Sequence, residues 1–215
     1  MRTPGSTAAV TGERVLTAAA AAFARDGYAA TGIRRLAGDA GLTPAALYHY
    51  MGAKEDLLVA VMRSTIEPLL DAATALVAED PPPDLALAGL VELQVWVHGT
   101  QPEATLVADT EVRALRGRRR TAMLGLRDGY EAVWRRVVAE GMRTGDFAVE
   151  DASLTTKALL GLAGQVSQWY SPGGRLPLEA VCARHADLAL GMVRAARRRA
   201  DLELAPPTER LALSA

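Results

Sequence analysis

Residues 41–58 read GLTPAALYHYMGAKEDLL and place several hydrogen-bond donors close together along the chain. Tyr48 and Tyr50 carry phenol hydroxyls, and His49 between them carries a ring N–H. Lys54 follows with an ammonium group that is left free to reach outward. Such donors suit the oxygen atoms of a phosphate backbone. A second interpretation stays open, because tyrosine and histidine at helical spacing are also typical of packed, purely structural helices.

Two short helices have to position these side chains. The first is predicted from apolar residues at helical spacing, namely Ile33, Leu36, Ala37 and Ala40. It begins after Thr31, a good N-cap residue, and ends at Gly41, the residue type favoured just beyond a helix. Thr43 can cap the next helix, and the proline after it suits a first turn. The second helix buries Leu47. Together the two elements predict a helix-turn-helix.

Helical periodicity recurs along the rest of the chain, and period-two alternation typical of strands is absent. The apolar stripes lie within residues 15–23, 87–94, 123–138, 154–169 and 181–192. Glycine and proline breaks separate them at 26–27, 41, 79–84, 101–102, 145 and 171–174. The pattern predicts an all-α protein of about nine helices.

Composition and charge limit the possible location and partners of the protein. The chain has 215 residues, half of them apolar, and a net charge of −1. Residues 1–57 carry six basic and five acidic side chains, so local placement must attract a nucleic acid where bulk charge does not. The single cysteine, Cys182, cannot form an internal disulfide. The N-terminus lacks a signal-peptide pattern, and no run reaches the ~18 apolar residues of a membrane span. We therefore expect a cytoplasmic protein.

Enzyme and metal sites find no support in the sequence. It contains no nucleophile elbow, no P-loop and no GxGxxG motif after a strand. His49, His98 and His185 fall in separate predicted helices without the paired spacing of metal ligands. The sequence therefore predicts neither catalysis nor a metal nor a cofactor.

The segment TGIRRLAGDAGLTPAALYHYMGAKEDLL, residues 31–58, resembles the DNA-binding motif of TetR-family transcriptional regulators. The preceding AAAAFARDGYAAT is similar to the first helix of that family, with its Phe-x-x-x-Gly-Tyr-x-x-Thr ending. Two positions depart from the family pattern. Met51 stands where many members have Phe, and Ala53, where many have Ser or Asn, weakens a helix cap.

The resemblance implies a domain organisation. A three-helix DNA-binding domain with the helix-turn-helix would span residues 1–57. An all-helical effector-binding and dimerisation domain would follow over 58–201. Residues 202–215, which include Pro206 and Pro207, are expected to form a disordered tail.

The resemblance also implies double-stranded operator DNA, an inverted repeat, as the partner of a homodimer. Phosphates would be contacted by Thr43, Tyr48, His49 and Lys54. Base edges would face small residues that offer mainly apolar contacts, Pro44, Ala45 and Ala46. The complete expected DNA-binding set is Thr31, Thr43, Pro44, Ala45, Ala46, Tyr48, His49, Tyr50 and Lys54.

A small apolar effector is the second expected partner. Residues 127–147 and 159–190 look similar to family members that sense acyl-CoA or related lipid-like molecules. Polar side chains interrupt apolar stripes at Gln94, His98 and Gln165, as in many ligand pockets. The stripe that holds Gln165 comprises Leu154, Ala158, Gly161, Leu162, Gln165 and Trp169. The expected effector-binding set is Gln94, His98, Tyr130, Trp134, Gln165 and Trp169. The alternative is that the polar groups bond a neighbouring helix or water, and that the aromatic rings are core.

The dimer face and an arginine run also have predicted roles. Residues 150–170 with 176–198 are the expected dimer face, where two helices from each subunit form a four-helix bundle. The run RGRRR, residues 116–120, could hold a ligand phosphate or a nucleic acid, or could be a solvated loop or helix end.

The rival function is an all-helical binding or adaptor protein whose helix-turn-helix is only structural. Salt-dependent DNA binding separates this function from that of a DNA-binding regulator.

Overall fold

The computed structural model of the protein describes the backbone of residues 4–212 and the side chains of residues 11–211. The chain runs through α1 (Pro4–Asp26), α2 (Ile33–Asp39), α3 (Pro44–Met51), α4 (Lys54–Ala78), α5 (Pro83–Thr100), α6 (Pro102–Thr110), α7 (Gly117–Thr144), α8 (Ala152–Gly164), α9 (Val166–Trp169), α10 (Leu178–Met192) and α11 (Pro207–Ala212). Short 3-10 turns lie at Glu111–Ala114 and Arg199–Asp201. Residues 4–212 contain no strand, which confirms the all-α prediction.

The predicted breaks coincide with the observed helix ends. α1 ends at Asp26, α4 ends before the proline run, and α7 ends just before Gly145. About nine helices were expected, and residues 4–212 contain eleven α-helices. The predicted stripe of residues 154–169 is divided between α8 and the four-residue α9, and the six-residue α11 is too short to show a helical period in the sequence.

The chain forms two compact units, and the division differs from the expected one. The first unit joins the residues up to Thr65 with a later segment, Glu103–Leu124. The second unit comprises Ile66–Pro102 and the residues from Gly125 onward. The expected boundary between residues 57 and 58 falls inside α4, and residues 103–124 belong with the helix-turn-helix rather than with the rest of the C-terminal region.

The core of the first unit is built by α1, α2 and α3 with the first turns of α4. α2 packs against both α1 and α3. The largest fully buried side chains of this unit are Phe23, Leu36, Leu47, Leu58, Met62 and Leu115. Helices as short as α2 and α3 are marginal alone, so this packing rather than propensity holds them.

The second unit is organised around α5, which is buried over nearly its whole length. α8, α9, α10 and α11 all pack against it. The shared core includes Tyr130 and Trp134 of α7 and Leu159 of α8. A helix that is apolar on every side is the expected centre of such a bundle.

The C-terminal segment corrects the prediction of a disordered tail. α11 packs on α5, and the Arg210 side chain is 8% exposed. Its guanidinium donates to the Gly89 carbonyl at 2.7 Å and to Glu92 Oε2 at 2.6 Å. Arg199 pairs with the same glutamate. The sequence signal of two prolines suggested fraying, but a buried ion-pair group fixes residues 202–211. Residues 213–215 lie outside the described part of the chain.

Among the described helices, none combines the length and the apolarity that crossing a membrane requires.

Candidate nucleic-acid interface and effector site

The turn between α2 and α3 has the geometry that its glycine predicts. Gly41 adopts φ +67°, a left-handed conformation that favours glycine. The N–H of Leu42 donates to the Ala37 carbonyl at 2.8 Å, and that of Gly41 to the Gly38 carbonyl at 3.0 Å. These two bonds form a Schellman motif, which ends α2 and satisfies its last carbonyls. The predicted C-terminal stop at Gly41 is confirmed.

The start of α3 is also as predicted. Thr43 Oγ1 accepts a hydrogen bond from the Ala46 N–H at 3.2 Å, and Pro44 occupies the first helical position. Threonine at this position satisfies an N–H group that the helix leaves unpaired. The tight turn and the cap together fix the direction in which α3 leaves α2.

Thr31 has a different role from the predicted one. The residue flanking α2 is Gly32, which makes no side-chain cap bond, so the N-cap prediction for Thr31 is wrong. The side chain is 2% exposed, and its hydroxyl donates to the Gly27 carbonyl at 2.8 Å. A buried hydroxyl with an internal acceptor is unable to reach a phosphate. Thr31 therefore stabilises the end of α1 and is removed from the DNA-binding set.

The side of α3 away from the core carries the remaining predicted contacts. Leu47 and Met51 face inward, with 0% and 8% of their surface exposed. Tyr48 and Tyr50 are 50% and 48% exposed. Pro44, Ala45 and His49 are exposed as well, and Ala46 is half-buried. These side chains are free of the core, as a helix that enters a groove requires.

Lys54 is held by the end of the first helix rather than left to reach outward. Its ammonium donates to the Tyr28 carbonyl and lies 4.3 Å from the centroid of the Tyr28 ring. Burial lowers the pKa of Lys54, and the carboxylate of Glu111 opposes that effect. An ammonium has three N–H donors, so Lys54 can keep this contact and still bind a phosphate oxygen.

The N-terminus of α4 is capped without a capping side chain at Ala53. Asp56 Oδ2 accepts from the Ala53 N–H at 2.9 Å, so an acidic side chain inside the helix replaces the missing cap. Asp56 also accepts from Arg119 Nε at 2.9 Å, and Glu55 Oε1 accepts from the Arg116 N–H at 3.2 Å. The hydrogen bonds from Ala53 and Arg119 lower the pKa of Asp56. Sequence reasoning missed this contact, because some sixty residues separate its two partners.

In the second unit Gln94 and His98 form a buried pair on α5. His98 Nδ1 lies 2.9 Å from the Gln94 carbonyl, so Nδ1 donates and Nε2 carries the acceptor lone pair. Gln94 Nε2 lies 3.4 Å from that acceptor. These contacts satisfy donors of both residues, whereas Gln94 Oε1 is buried and has no hydrogen-bond partner among the described residues.

Four more buried polar atoms of this unit make no hydrogen bond of ordinary geometry within residues 11–211. They are the Tyr130 hydroxyl oxygen, Trp134 Nε1, Thr156 Oγ1 and Arg210 Nε. Burial raises the pKa of Tyr130, and a weak contact from the Trp134 N–H opposes that effect in part, so the Tyr130 hydroxyl stays protonated and can donate. Tyr130 and Trp134 were expected to contact an effector. Thr156 was missed, although it precedes Leu159 and Ala163 at helical spacing and shares their buried face.

Gln165 and Trp169, which also belong to the predicted effector-binding set, are exposed rather than buried with these groups. Gln165 is exposed at the junction of α8 and α9. Trp169 is 55% exposed and stacks on His185, with ring centroids 5.8 Å apart. The apolar stripe that contains both is the outer face of α8, where Leu154 is 67% exposed. The inward face of α8 is the one marked by Thr156, Leu159 and Ala163.

Comparison with known sequences and structures decides the family. Residues 15–61 match the profile described as bacterial regulatory proteins, tetR family. Residues 80–193, more than half of the chain, match the tetracyclin repressor-like C-terminal domain. The chain belongs to the TetR family. TetR-family proteins are DNA-binding transcription regulators without enzymatic activity. This agrees with the family resemblance and with the prediction that the protein is not an enzyme.

Individual relatives of this TetR-family protein are similar over most of their length. The HTH-type transcriptional repressor KstR2 of Rhodococcus jostii is 27% identical over 178 residues, covering 82% of this chain and 87% of that protein. A tetR-family regulatory protein from Rhodococcus RHA1 superposes with a TM-score of 0.78 at 28% identity, over 87% of this chain and 98% of that one. AibR, solved with isovaleryl coenzyme A and operator DNA, shares the fold with a TM-score of 0.73 at 20% identity, over 83% of this chain and 97% of that one.

No group of three or more His, Cys, Asp or Glu side chains in the described part of this TetR-family chain is arranged to hold a metal ion.

Proposed function

We propose that this TetR-family regulator is a cytoplasmic homodimeric repressor that binds an inverted-repeat operator and releases it when a small apolar effector binds. The effector class that the buried residues fit is an acyl-CoA or a related lipid-like molecule. One combined observation carries the proposal. The side of α3 away from its core is exposed, and the apolar core of the second unit contains polar atoms that have no hydrogen-bond partner among the described residues.

DNA binding would place α3 in a major groove. Tyr48, His49 and Lys54, with the backbone around Thr43, would bind phosphates and set the register of the protein on the duplex. Ala45 and its neighbours Pro44 and Ala46 would face base edges, where short side chains allow close approach and contact with thymine methyl groups. Tyr50 lies beside His49, with ring centroids 6.1 Å apart, and would extend the phosphate contacts.

Dimerisation is supported by an exposed apolar surface on α8, α9 and α10. Leu154, Trp169, Leu188 and Met192 are between 42% and 67% exposed. An apolar surface of this kind on neighbouring helices is typical of an interaction face. A second copy would cover it with the same surface, which gives the four-helix bundle of a two-fold dimer.

The effector class follows from the hydrogen-bonding capacity of the buried groups. Gln94 Oε1 needs a donor, while Trp134 Nε1 can only donate, and Tyr130 and Thr156 can donate to an acceptor. A molecule with a long apolar body, a carbonyl acceptor and an amide or hydroxyl donor satisfies all of them. An acyl thioester on a pantetheine chain has these groups, since it carries a thioester carbonyl and amide N–H donors. AibR, which has the same fold, was solved with isovaleryl coenzyme A, and this supports an acyl-CoA as the effector here.

The experiment has two parts. Selection from a random duplex library should enrich an inverted repeat with half-sites about one helical turn apart, or modestly more. Acyl-CoAs of increasing chain length should then release that operator, whereas coenzyme A alone should not. Enrichment of a single half-site bound by monomers would overturn the proposal, and release by coenzyme A alone would overturn the effector class.

The dimer face has its own test. Leu188→Glu should shift the mass in light scattering from dimer to monomer, because it introduces a charge into the apolar surface. Leu124→Glu is the matched control, since Leu124 is a 37% exposed leucine of the other unit. Equal masses for both variants would mean that the α8–α10 surface does not form the dimer.

A further inference from the structure

The segment Arg116–Arg120 carries four arginines in five positions, and all four are exposed. The guanidinium of Arg119 forms ion pairs with Glu55 and Asp56. The guanidinium groups of Arg116, Arg118 and Arg120 have no ion pair or hydrogen bond with any described residue. The segment is therefore attached through one arginine and presents three further positive charges on its surface.

The attachment places these charges beside the predicted DNA-contacting edge of the first unit. Arg119 binds the two acidic residues that directly follow Lys54 along the chain. The Arg116 N–H donates to Glu55 as well. The three unpaired arginines consequently belong to the same compact unit as α3, although the sequence places them some sixty residues later.

The charge distribution over the chain is strongly uneven once this segment is counted with the helix-turn-helix. The first unit contains twelve basic and eight acidic residues, a net charge of +4, although the whole chain has −1. The second unit accordingly has a net charge of −5. The basic character that residues 1–57 lack is thus supplied largely by the arginine segment, as charge complementarity with a polyanion requires.

The arginines do not serve the stability of their own helix. Arg116 lies just before α7, and the other three arginines lie in its first turn. That first turn contains no acidic residue. Positive side chains near a helix N-terminus are unfavourable, because the N–H groups there carry partial positive charge. Four neighbouring cations also repel one another. An external anion removes both penalties.

We propose that Arg116, Arg118 and Arg120 form a second phosphate-binding patch that contacts the DNA backbone outside the groove entered by α3. The inference rests on the proposed DNA binding by α3 and adds to it a contact from a segment that the sequence match assigns to the C-terminal domain. The patch carries no base specificity, since guanidinium–phosphate contacts bind all sequences alike.

The test compares two double variants that remove the same charge. Arg118→Gln with Arg120→Gln removes two arginines of the patch and keeps Arg119 in place. Arg136→Gln with Arg175→Gln removes two exposed arginines of the second unit. Binding to a labelled duplex of mixed sequence is measured by fluorescence anisotropy over a series of salt concentrations, and thermal melts check that both variants fold.

The patch variant should bind the duplex more weakly, and its salt slope should fall by about one for each phosphate that the protein no longer neutralises. The control should match the wild-type protein. A patch variant that matches the control, or that binds more weakly without any change of salt slope, would overturn the inference while leaving binding by α3 intact. A wild-type protein without salt-dependent DNA binding would overturn the proposed function itself.

Discussion

The ammonium of Lys54 sits 4.3 Å above the ring of Tyr28 and donates to the carbonyl of the same residue. Tyr28 lies just after α1, and Lys54 begins α4, so this contact joins the two elements that flank α2 and α3. A lysine held in this way loses less conformational freedom when it binds a phosphate. Tyr28 thus becomes a positioning residue for the predicted DNA contact.

The first prediction separates the charge of Lys54 from its positioning. Lys54→Ala should weaken DNA binding and lower the salt slope by about one for each subunit. Tyr28→Leu should weaken binding a few-fold at an unchanged slope, because the charge remains while a cation–π interaction of roughly 0.5–1 kcal/mol is removed. Tyr28→Phe keeps the ring and the carbonyl and serves as the control. Anisotropy titrations at several salt concentrations give both quantities. Unchanged affinity and slope for Lys54→Ala would remove this lysine from the interface.

The second prediction concerns the exposed side of α3. Tyr48→Phe should weaken binding to all duplexes alike, by about ten-fold or more, because a hydrogen bond to a charged group contributes about 1.5–3 kcal/mol. Ala45→Gln should instead change which bases are preferred, since a bidentate amide can read an adenine edge. Sequencing of the selected duplexes distinguishes the two effects. A changed base preference for Tyr48→Phe would contradict the assignment of Tyr48 to the phosphates.

The helix-turn-helix could be predicted from sequence because its signals are local. Gly41 and Thr43 act on their immediate neighbours, and the residue types at those two positions determine the turn and the cap. The inward face of α8 could not be predicted in the same way. This helix has an apolar stripe on each of two faces, and the helical period alone does not say which of them, the one with Leu159 or the one with Leu154, packs against α5.

Long-range pairs account for the other differences. Arg119 with Asp56 and Arg210 with Glu92 each join residues far apart in sequence. Nothing near Arg119 or Arg210 in the chain marks it as paired, so the sequence predicts a solvated run or a phosphate site for the first and a tail for the second. Only the packing of the helices brings the partners together.

The third prediction tests the buried charge group of the second unit. Glu92 is 3% exposed and pairs with both Arg199 and Arg210. Glu92→Ala leaves the buried Arg210 without its counter-charge and should lower the free energy of unfolding by about 3–5 kcal/mol. Glu140→Ala, which breaks an exposed pair with Arg143, is the matched control and should have little effect. Denaturant titrations measure both. Equal stabilities of the two variants would show that the C-terminal segment is not anchored by Glu92.

The fourth prediction is a pH dependence at Asp56. The Ala53 N–H and Arg119 lower the pKa of this carboxyl in the folded state. Its contribution to stability is therefore fully present above the ordinary carboxyl pKa of about 4 and is lost as the pH falls through the lower folded value. Asp56→Asn should destabilise the protein at neutral pH, and the difference from wild type should shrink towards acid. Denaturant titrations over this pH range measure it. A difference that stays constant with pH would rule out the ion pair as its cause.

The last prediction uses two buried threonines that differ in their hydrogen bonding. Thr156 is 0% exposed, and its hydroxyl has no partner among the described residues. Thr65 is 2% exposed, but its hydroxyl donates to the Met62 carbonyl at 3.0 Å. Replacement by valine keeps the shape of either side chain and removes only the hydroxyl.

A buried hydroxyl without a partner costs about 1–3 kcal/mol, so Thr156→Val should raise the melting temperature of the effector-free protein. Thr65→Val removes a hydrogen bond that the folded protein makes, so this change should not raise the melting temperature. If Thr156 holds the polar end of an effector, the same change should raise the acyl-CoA concentration needed to release operator DNA. An effector shifts the population of the DNA-binding state only through its differential affinity, so operator affinity without ligand should stay within a few-fold of wild type. Melts with and without acyl-CoA, beside operator titrations, measure each quantity. A Thr156→Val protein that is stabilised yet released at the wild-type concentration would show that this hydroxyl destabilises the fold without contacting an effector.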